Sequence, residues 1–441
     1  MDAKDCDCRH SGEPLLAGLS EALRAEIGRA ADAVQPTAVD LLSVLVRENS
    51  QMGLEQGAQA IMAETFANLG LAVDAFEIDG DAIAKLPGYS PSIIPYDGRK
   101  NVVGVHTPKT QTGKSLILNG HIDVVPPGEA ARWTTPPFAP DVRDGRLYGR
   151  GAGDMKAGIV AYTMAFKALR DLGYAPAAPV YLQSVVEEEC TGNGALACLE
   201  RGYRADAAII PEPFGQTLMT AQIGVMWVEI AVTGLAAHMI DRGKGTSAID
   251  AAMIVAEHMK ALETAWNAEP HPAYAEVPHP INFNLGRIDG GEWTSSVPER
   301  CVTQWRLSFY PGITTDDARA AIERTVNHAI TTDERLAGCA AAIRWTGFQA
   351  PGFEQSAEHP MMRLLSAAHH AVSGEPIAEI ACTCTTDARF FALYGDTPAT
   401  CYGPEATAIH TIDESVSLKS LRDVTAVLAM FIAAWCGLER R

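Results

Sequence analysis

The stretch SLILNGHIDVV (Ser115–Val125) is an almost unbroken apolar run with two ionisable residues, His121 and Asp123, near its end. A short apolar run of this kind fits a strand buried on both faces, and such strands belong to parallel sheets covered by helices. The residues that follow repeat the theme. DMKAGIVAYTMAFKALRDLGY (154–174) has apolar residues at helical spacing, PVYLQSVVEE (179–188) is a second strand, NGALACLERGY a short helix, and ADAAIIPEP (205–213) a third strand. Buried strands alternating with helices imply an α/β fold with a mostly parallel sheet, whose functional groups gather at the carboxyl ends of its strands.

Upstream, residues 15 to 70 read as two helices joined by a loop at RENSQMGLEQG. The pattern changes near residue 219. VMWVEIAVTG alternates with period two, a long helix follows over about 246–266, then two more alternating strands, INFNLGRIDGG and CVTQWRLSFYPG, and a helix near 314–330. This describes a small α+β (ferredoxin-like) unit with one polar sheet face. After about residue 332 the α/β style resumes and ends in an amphipathic helix at 415–436. The expected organisation is therefore a discontinuous larger domain, 1–218 and 332–441, with a smaller domain inserted at 219–331.

The chain has 441 residues, 47% of them hydrophobic and 20% charged, the balance of an ordinary globular protein. Its 54 acidic and 35 basic residues give a net charge of −19, which argues against nucleic acid or an anionic membrane as partner. No apolar run is long enough to span a membrane, and the polar N-terminus lacks a signal-peptide core. Ten scattered cysteines point to a reduced, cytoplasmic protein. The pairs Cys6/Cys8 and Cys382/Cys384 have C-x-C spacing but no matching ligand pair nearby, so a structural zinc is not expected at either.

Ionisable residues of the α/β part fall at strand ends. His121 and Asp123, at i and i+2, project from one face. Asp154 ends the turn YGRGAGDMK, Glu187, Glu188 and Glu189 end the next strand, Glu212 lies in IIPEP, and His410 follows the strand near TPATCYG. Three adjacent glutamates taken alone read as a solvated strand end. Gathered on one rim with two histidines, these carboxylates suit Zn²⁺, with Co²⁺ or Mn²⁺ able to substitute.

The motifs LNGHIDVVP, GRGAGDMKAG, EEECTGNGA, IIPEP and GPEATAIHTIDES, in that order, resemble those of the co-catalytic dizinc amidohydrolases and peptidases. That family includes acetylornithine deacetylase, succinyl-diaminopimelate desuccinylase, aminoacylase and glutamate carboxypeptidase. The likeness runs from about residue 37 to the C-terminus and includes VTGLAAHMIDRGKGTSAIDAA and GGEWTSSVPERC of the inserted unit. It implies that the larger domain is catalytic and the inserted one a lid and dimerisation domain. It implies His121 and Glu212 as ligands of one metal, His410 and Glu189 of the other, and Asp154 as the bridge. It further implies Asp123 as the acid orienting His121, Glu188 as the general base and Glu187 as a structural or solvated residue. His238 matches a histidine that reaches across a homodimer into the second site, and Arg306 one that binds a substrate carboxylate. Ser295 stands where many relatives have Asn, and ACTCTTDARFF (381–391) lacks glycines common there, so the pocket is expected to differ from those of the arginine- and lysine-pathway enzymes.

The implied chemistry is amide hydrolysis by a hydroxide bridging two metals about 3.5–4 Å apart, with a neighbouring carboxylate shuttling the proton. The expected substrate is a small N-acyl (formyl, acetyl or larger) amine or amino acid, cleaved as the two domains open and close. Alternatives are a dipeptidase or carboxypeptidase with the same site, a deformylase of a heterocyclic amine, and, from another class, a non-catalytic binding module. A glycosidase using a carboxylate pair has no role for His121 and His410.

Overall fold

The computed structural model describes residues 15–441; the Cys6/Cys8 pair and the polar N-terminus lie outside the described residues. Two hydrophobic cores organise the chain. The larger surrounds a six-stranded sheet in the order Ala72–Glu77, Lys100–His106, Val180–Val185, Leu116–His121, Ala208–Ile210, Ala399–Cys401. The last four of these strands run parallel to one another, and the first two add an antiparallel edge. Leu116–His121 is buried at every position, as its unbroken apolar run requires.

Helix Ala157–Asp171 covers this sheet and packs against Glu21–Arg47 and Leu418–Trp435. Glycine is needed at the start of that helix: a Cβ on Gly158 would lie 2.2 Å from the Pro211 carbonyl oxygen. The close approach holds the helix beside the strand end that carries Glu212. The C-terminal helix differs from the expected amphipathic one. Nearly all of Leu421–Ala433 is buried, because helices and sheet enclose it on most sides.

The smaller core belongs to an antiparallel sheet in the order Phe283–Gly290, Arg300–Phe309, Gly224–Thr233, Ala340–Ala350, backed by helices Ala248–Asn267 and Thr315–Thr332. This β-α-β-β-α-β succession is ferredoxin-like. Its fourth strand lies past the expected limit at residue 331, so the inserted unit continues to about residue 350. The strand is hard to recognise because its first half offers alanines and an arginine to partly exposed positions, leaving the period-two signal weak. Between the units, Leu218–Gln222 pairs with Phe353–Glu354 and Glu379–Cys382 and leads directly into the small sheet. Among the described residues no helix is long and apolar enough to cross a membrane.

Candidate metal centre and active site

Four neighbouring strands deliver their carboxyl ends to one rim. His121 is the last residue of its strand, Glu188 and Glu189 follow Val180–Val185, Glu212 follows Ala208–Ile210, and His410 lies in the loop after Ala399–Cys401. Asp154 joins them from the turn before helix Ala157–Asp171, and the peptide bond after it is cis.

Asp154 stands between the two imidazoles. Its Oδ1 is 3.2 Å from His121 Nε2 and its Oδ2 is 3.2 Å from His410 Nε2. On the His121 side, Glu188 lies 3.9 Å and Glu212 4.0 Å from Nε2. On the other, both carboxylate oxygens of Glu189 are 3.2 Å from His410 Nε2. Ligand atoms of His121, Asp154 and Glu189 all fall within 4.8 Å of one another. Imidazole nitrogens and carboxylate oxygens converging in two groups around a shared aspartate fit a pair of divalent cations of the zinc, cobalt or manganese type.

The electrostatics agree. Burial disfavours a charged His121, yet the Asp154 hydrogen bond and the charges of Glu212 and Glu188 outweigh it and raise its pKa. His410 is pushed up to about 11 by hydrogen bonds with Asp154 and Glu189. Burial works to raise Asp154, but both histidines hold it well below the usual carboxylate range. The rim thus favours positive charge. Burial raises Glu188 and Glu212 well above an ordinary carboxylate, and the charges of the other acids, including Asp387, add to it.

Asp123 works differently from the expected carboxylate–imidazole support. His121 Nδ1 lies 2.9 Å from the Asp123 main-chain carbonyl oxygen and 3.7 Å from its carboxylate. The Nδ1–H donated to that carbonyl leaves Nε2 free to act as a ligand. The Asp123 carboxylate instead accepts the backbone N–H groups of Glu188 at 3.3 Å and Glu189 at 3.2 Å, fixing the turn that presents both glutamates.

Glu187 is not solvated. It is fully buried, has a φ of 70°, ion-pairs with Arg99, and accepts from Tyr96 Oη at 3.1 Å and Thr191 Oγ1 at 2.7 Å. Arg99 also pairs with buried Glu55 at 2.6 Å. Another residue overlooked in the motif reading is Glu414. Its Oε1 accepts from the backbone of Gly153 at 2.9 Å and Asp154 at 3.0 Å, its Oε2 accepts from Gly151 at 3.1 Å, and it pairs with buried Arg150. Glu414 therefore ties the His410 loop to the Asp154 turn. Its place four residues after His410 within GPEATAIHTIDES was the available signal.

His238, Ser295 and Arg306 stand apart from this cluster, joined to it by no hydrogen bond or ion pair among the described residues. His238 is exposed and its Nδ1 accepts from the Ile240 N–H at 3.2 Å. It pairs with Ser296 in a two-stranded ribbon, which brings His238 and Ser295 to one edge of the small unit. Arg306 is half-buried and donates to the Thr383 carbonyl oxygen at 3.2 Å, linking the small sheet to the segment after Glu379–Cys382.

Residues 117–434 match the model of peptidase family M20/M25/M40. The chain belongs to this family. As an M20-type protein it is a metal-dependent amide hydrolase. It is 30% identical over 407 residues to the N-formyl-4-amino-5-aminomethyl-2-methylpyrimidine deformylase of Bacillus subtilis (strain 168), a match covering 87% of this chain and 90% of that one. Its fold is shared with a Saccharomyces cerevisiae dipeptidase, with a TM-score of 0.78, 12% identity, and coverage of 94% of this chain and 98% of that one. A Staphylococcus aureus tripeptidase shares it too, with a TM-score of 0.69, 21% identity, and coverage of 90% and 97%.

Proposed function

We propose that this M20 hydrolase removes a formyl or other short acyl group from an amine carried by a small heterocycle. The observation that carries this reading is the likeness to a pyrimidine deformylase along nearly the whole of both chains. Among the expected substrates, the heterocyclic amine is thereby preferred over N-acyl amino acids.

In this reading His121, Asp154 and Glu212 hold one metal and Asp154, Glu189 and His410 the other, with zinc as the native ion. When bound, the pair supplies Lewis acidity towards water and the amide carbonyl oxygen. The chain's own residues do the rest. Glu188, buried 3.9 Å from His121 Nε2 and assigned to neither metal, accepts the proton of the attacking water and returns it to the leaving nitrogen, so that the amine departs neutral. Asp123 keeps Glu188 and Glu189 in register through their backbone N–H groups. Arg306 orients the end of the substrate remote from the amide.

His238 and Ser295 act in the site of a second copy, and the protein is a homodimer through the inserted unit. Supporting this, Leu235, Met239, Ile240 and Trp293 expose large apolar side chains on the same loops, with Ile240 86% exposed and Trp293 72%. The edge strand Phe283–Gly290 of the small sheet also lies open on one side. The eight described cysteines are unpaired, which supports a reducing, cytoplasmic setting.

The deciding experiment compares turnover of an N-formyl aminomethylpyrimidine, N-acetyl amino acids and dipeptides by the zinc-loaded enzyme. The formyl compound is expected to give the highest kcat/KM; preference for a dipeptide would replace this reading with a peptidase. Removal of metal with a chelator should abolish turnover, and zinc should restore it.

A further inference from the structure

We propose that Cys382 and Cys384 form a reversibly oxidisable dithiol, a modification site at the junction of the two units that takes a peroxide as its oxidant. Cys382 ends the strand Glu379–Cys382, and Cys384 follows two residues on, just past its end. Their sulfurs are 2.7 Å apart, well inside the contact distance of unbonded sulfurs. Both are partly accessible, as is the distant Cys339, whereas Cys190, Cys198, Cys301, Cys401 and Cys436 are buried. Partial exposure beside a cation is the setting of a reactive thiol.

The pair lies where the two units meet. The Cys382 carbonyl oxygen accepts from Tyr274 Oη at 3.0 Å and from the Ile223 N–H at 3.1 Å, and the Thr383 carbonyl oxygen accepts from Arg306 Nη2. Residues of the inserted unit and its connecting strand thus grip the backbone of the C-x-C segment. Either thiol can donate in their mutual hydrogen bond; this contact and the Arg306 guanidinium lower the Cys382 pKa, while Cys384 is raised. Cys382 is accordingly the attacking thiolate and Cys384 the resolving thiol.

The Cys382 sulfur attacks one oxygen of the peroxide, the O–O bond breaks, and hydroxide leaves to collect a proton as water. Cys382 is now a sulfenic acid, having given two electrons to oxygen. Cys384 sulfur then attacks it, the S–S bond forms, and the sulfenic hydroxyl departs as a second water with the Cys384 proton. Two thiols and one hydrogen peroxide give one disulfide and two waters, and a small dithiol reverses the change. Closing this ring stiffens Thr383, whose carbonyl holds Arg306, so oxidation is expected to alter KM more than kcat.

The full metal-loaded chain should be treated with stoichiometric hydrogen peroxide, alkylated, digested without reduction and weighed. The peptide spanning 382–384 should be two hydrogens lighter and unalkylated, and dithiothreitol should restore it. Cys384→Ser should stop at a sulfenic acid on Cys382, captured by dimedone. Full alkylation of both cysteines after peroxide, or the mass loss on another pair, would overturn the site; this readout needs no substrate. Equal KM values for oxidised and reduced enzyme would overturn the link to Arg306.

Discussion

Glu187, Glu188 and Glu189 are consecutive, yet their surroundings have little in common. The positive φ of Glu187 accompanies a turn in which its carboxylate meets Arg99, while the next two backbone N–H groups meet Asp123. Among the described residues Arg99 is the one cation shared by buried Glu55 and Glu187. Arg99→Met should therefore lower stability by about 3–5 kcal/mol, as expected when a buried ion network loses its cation. Urea unfolding measures it, and a loss below about 1 kcal/mol, the scale of an exposed pair, would contradict the assignment. Glu414 acts on the metal rim through Asp154, so Glu414→Gln should weaken metal binding by about 10–100-fold in a competitive chelator titration. Unchanged affinity would remove it from that role. Arg99 was not legible beforehand as a support, because positions 55, 99 and 187 meet only through the tertiary fold, whereas Glu414 had a signal in its place four residues after His410. A strand-end carboxylate shows in a sequence; its remote partner does not.

Strands and their ends were the legible part of this chain. Leu116–His121, Val180–Val185 and Ala208–Ile210 are apolar runs that end in ionisable residues, and burial on both faces leaves little else for such runs to be. Ala340–Ala350 was missed because alanine marks neither face of a strand strongly. Between strand and helix, the glutamate turn is held by the Glu187 carbonyl oxygen, which accepts from Thr191 at 3.0 Å and Gly192 at 2.7 Å. Helix Asn193–Glu200 then begins so close to the strand end that a Cβ on Gly194 would lie 2.1 Å from the Val186 carbonyl oxygen. Gly194→Ala should cost about 1–3 kcal/mol, the usual range for overpacking. Because the displaced carbonyl leads into the glutamates, kcat/KM should fall as well. Thermal denaturation and steady-state kinetics on the variant check both; a stable, fully active Gly194→Ala would show that the turn has slack.

Two units with separate cores, joined through Leu218–Gln222 and the segments beside it, leave the metal rim on one unit and His238, Ser295 and Arg306 on the other. His238 is exposed on its own chain, so its service to a second copy can be tested by mixing. His238→Ala and Glu188→Ala enzymes, each nearly inactive, should regain activity when exchanged into heterodimers, because one site then has both residues. No recovery, with heterodimers demonstrated by mass, would exclude action of His238 in a second copy's site. Metal content measured alongside turnover separates the roles of the neighbouring glutamates. Glu188→Ala should retain both metals while kcat falls by at least about 10²–10⁴-fold, the contribution of a general base, and Glu189→Ala should lose metal. Loss of metal from Glu188→Ala, with Glu189→Ala keeping its full complement, would contradict the assignment and exchange the two roles.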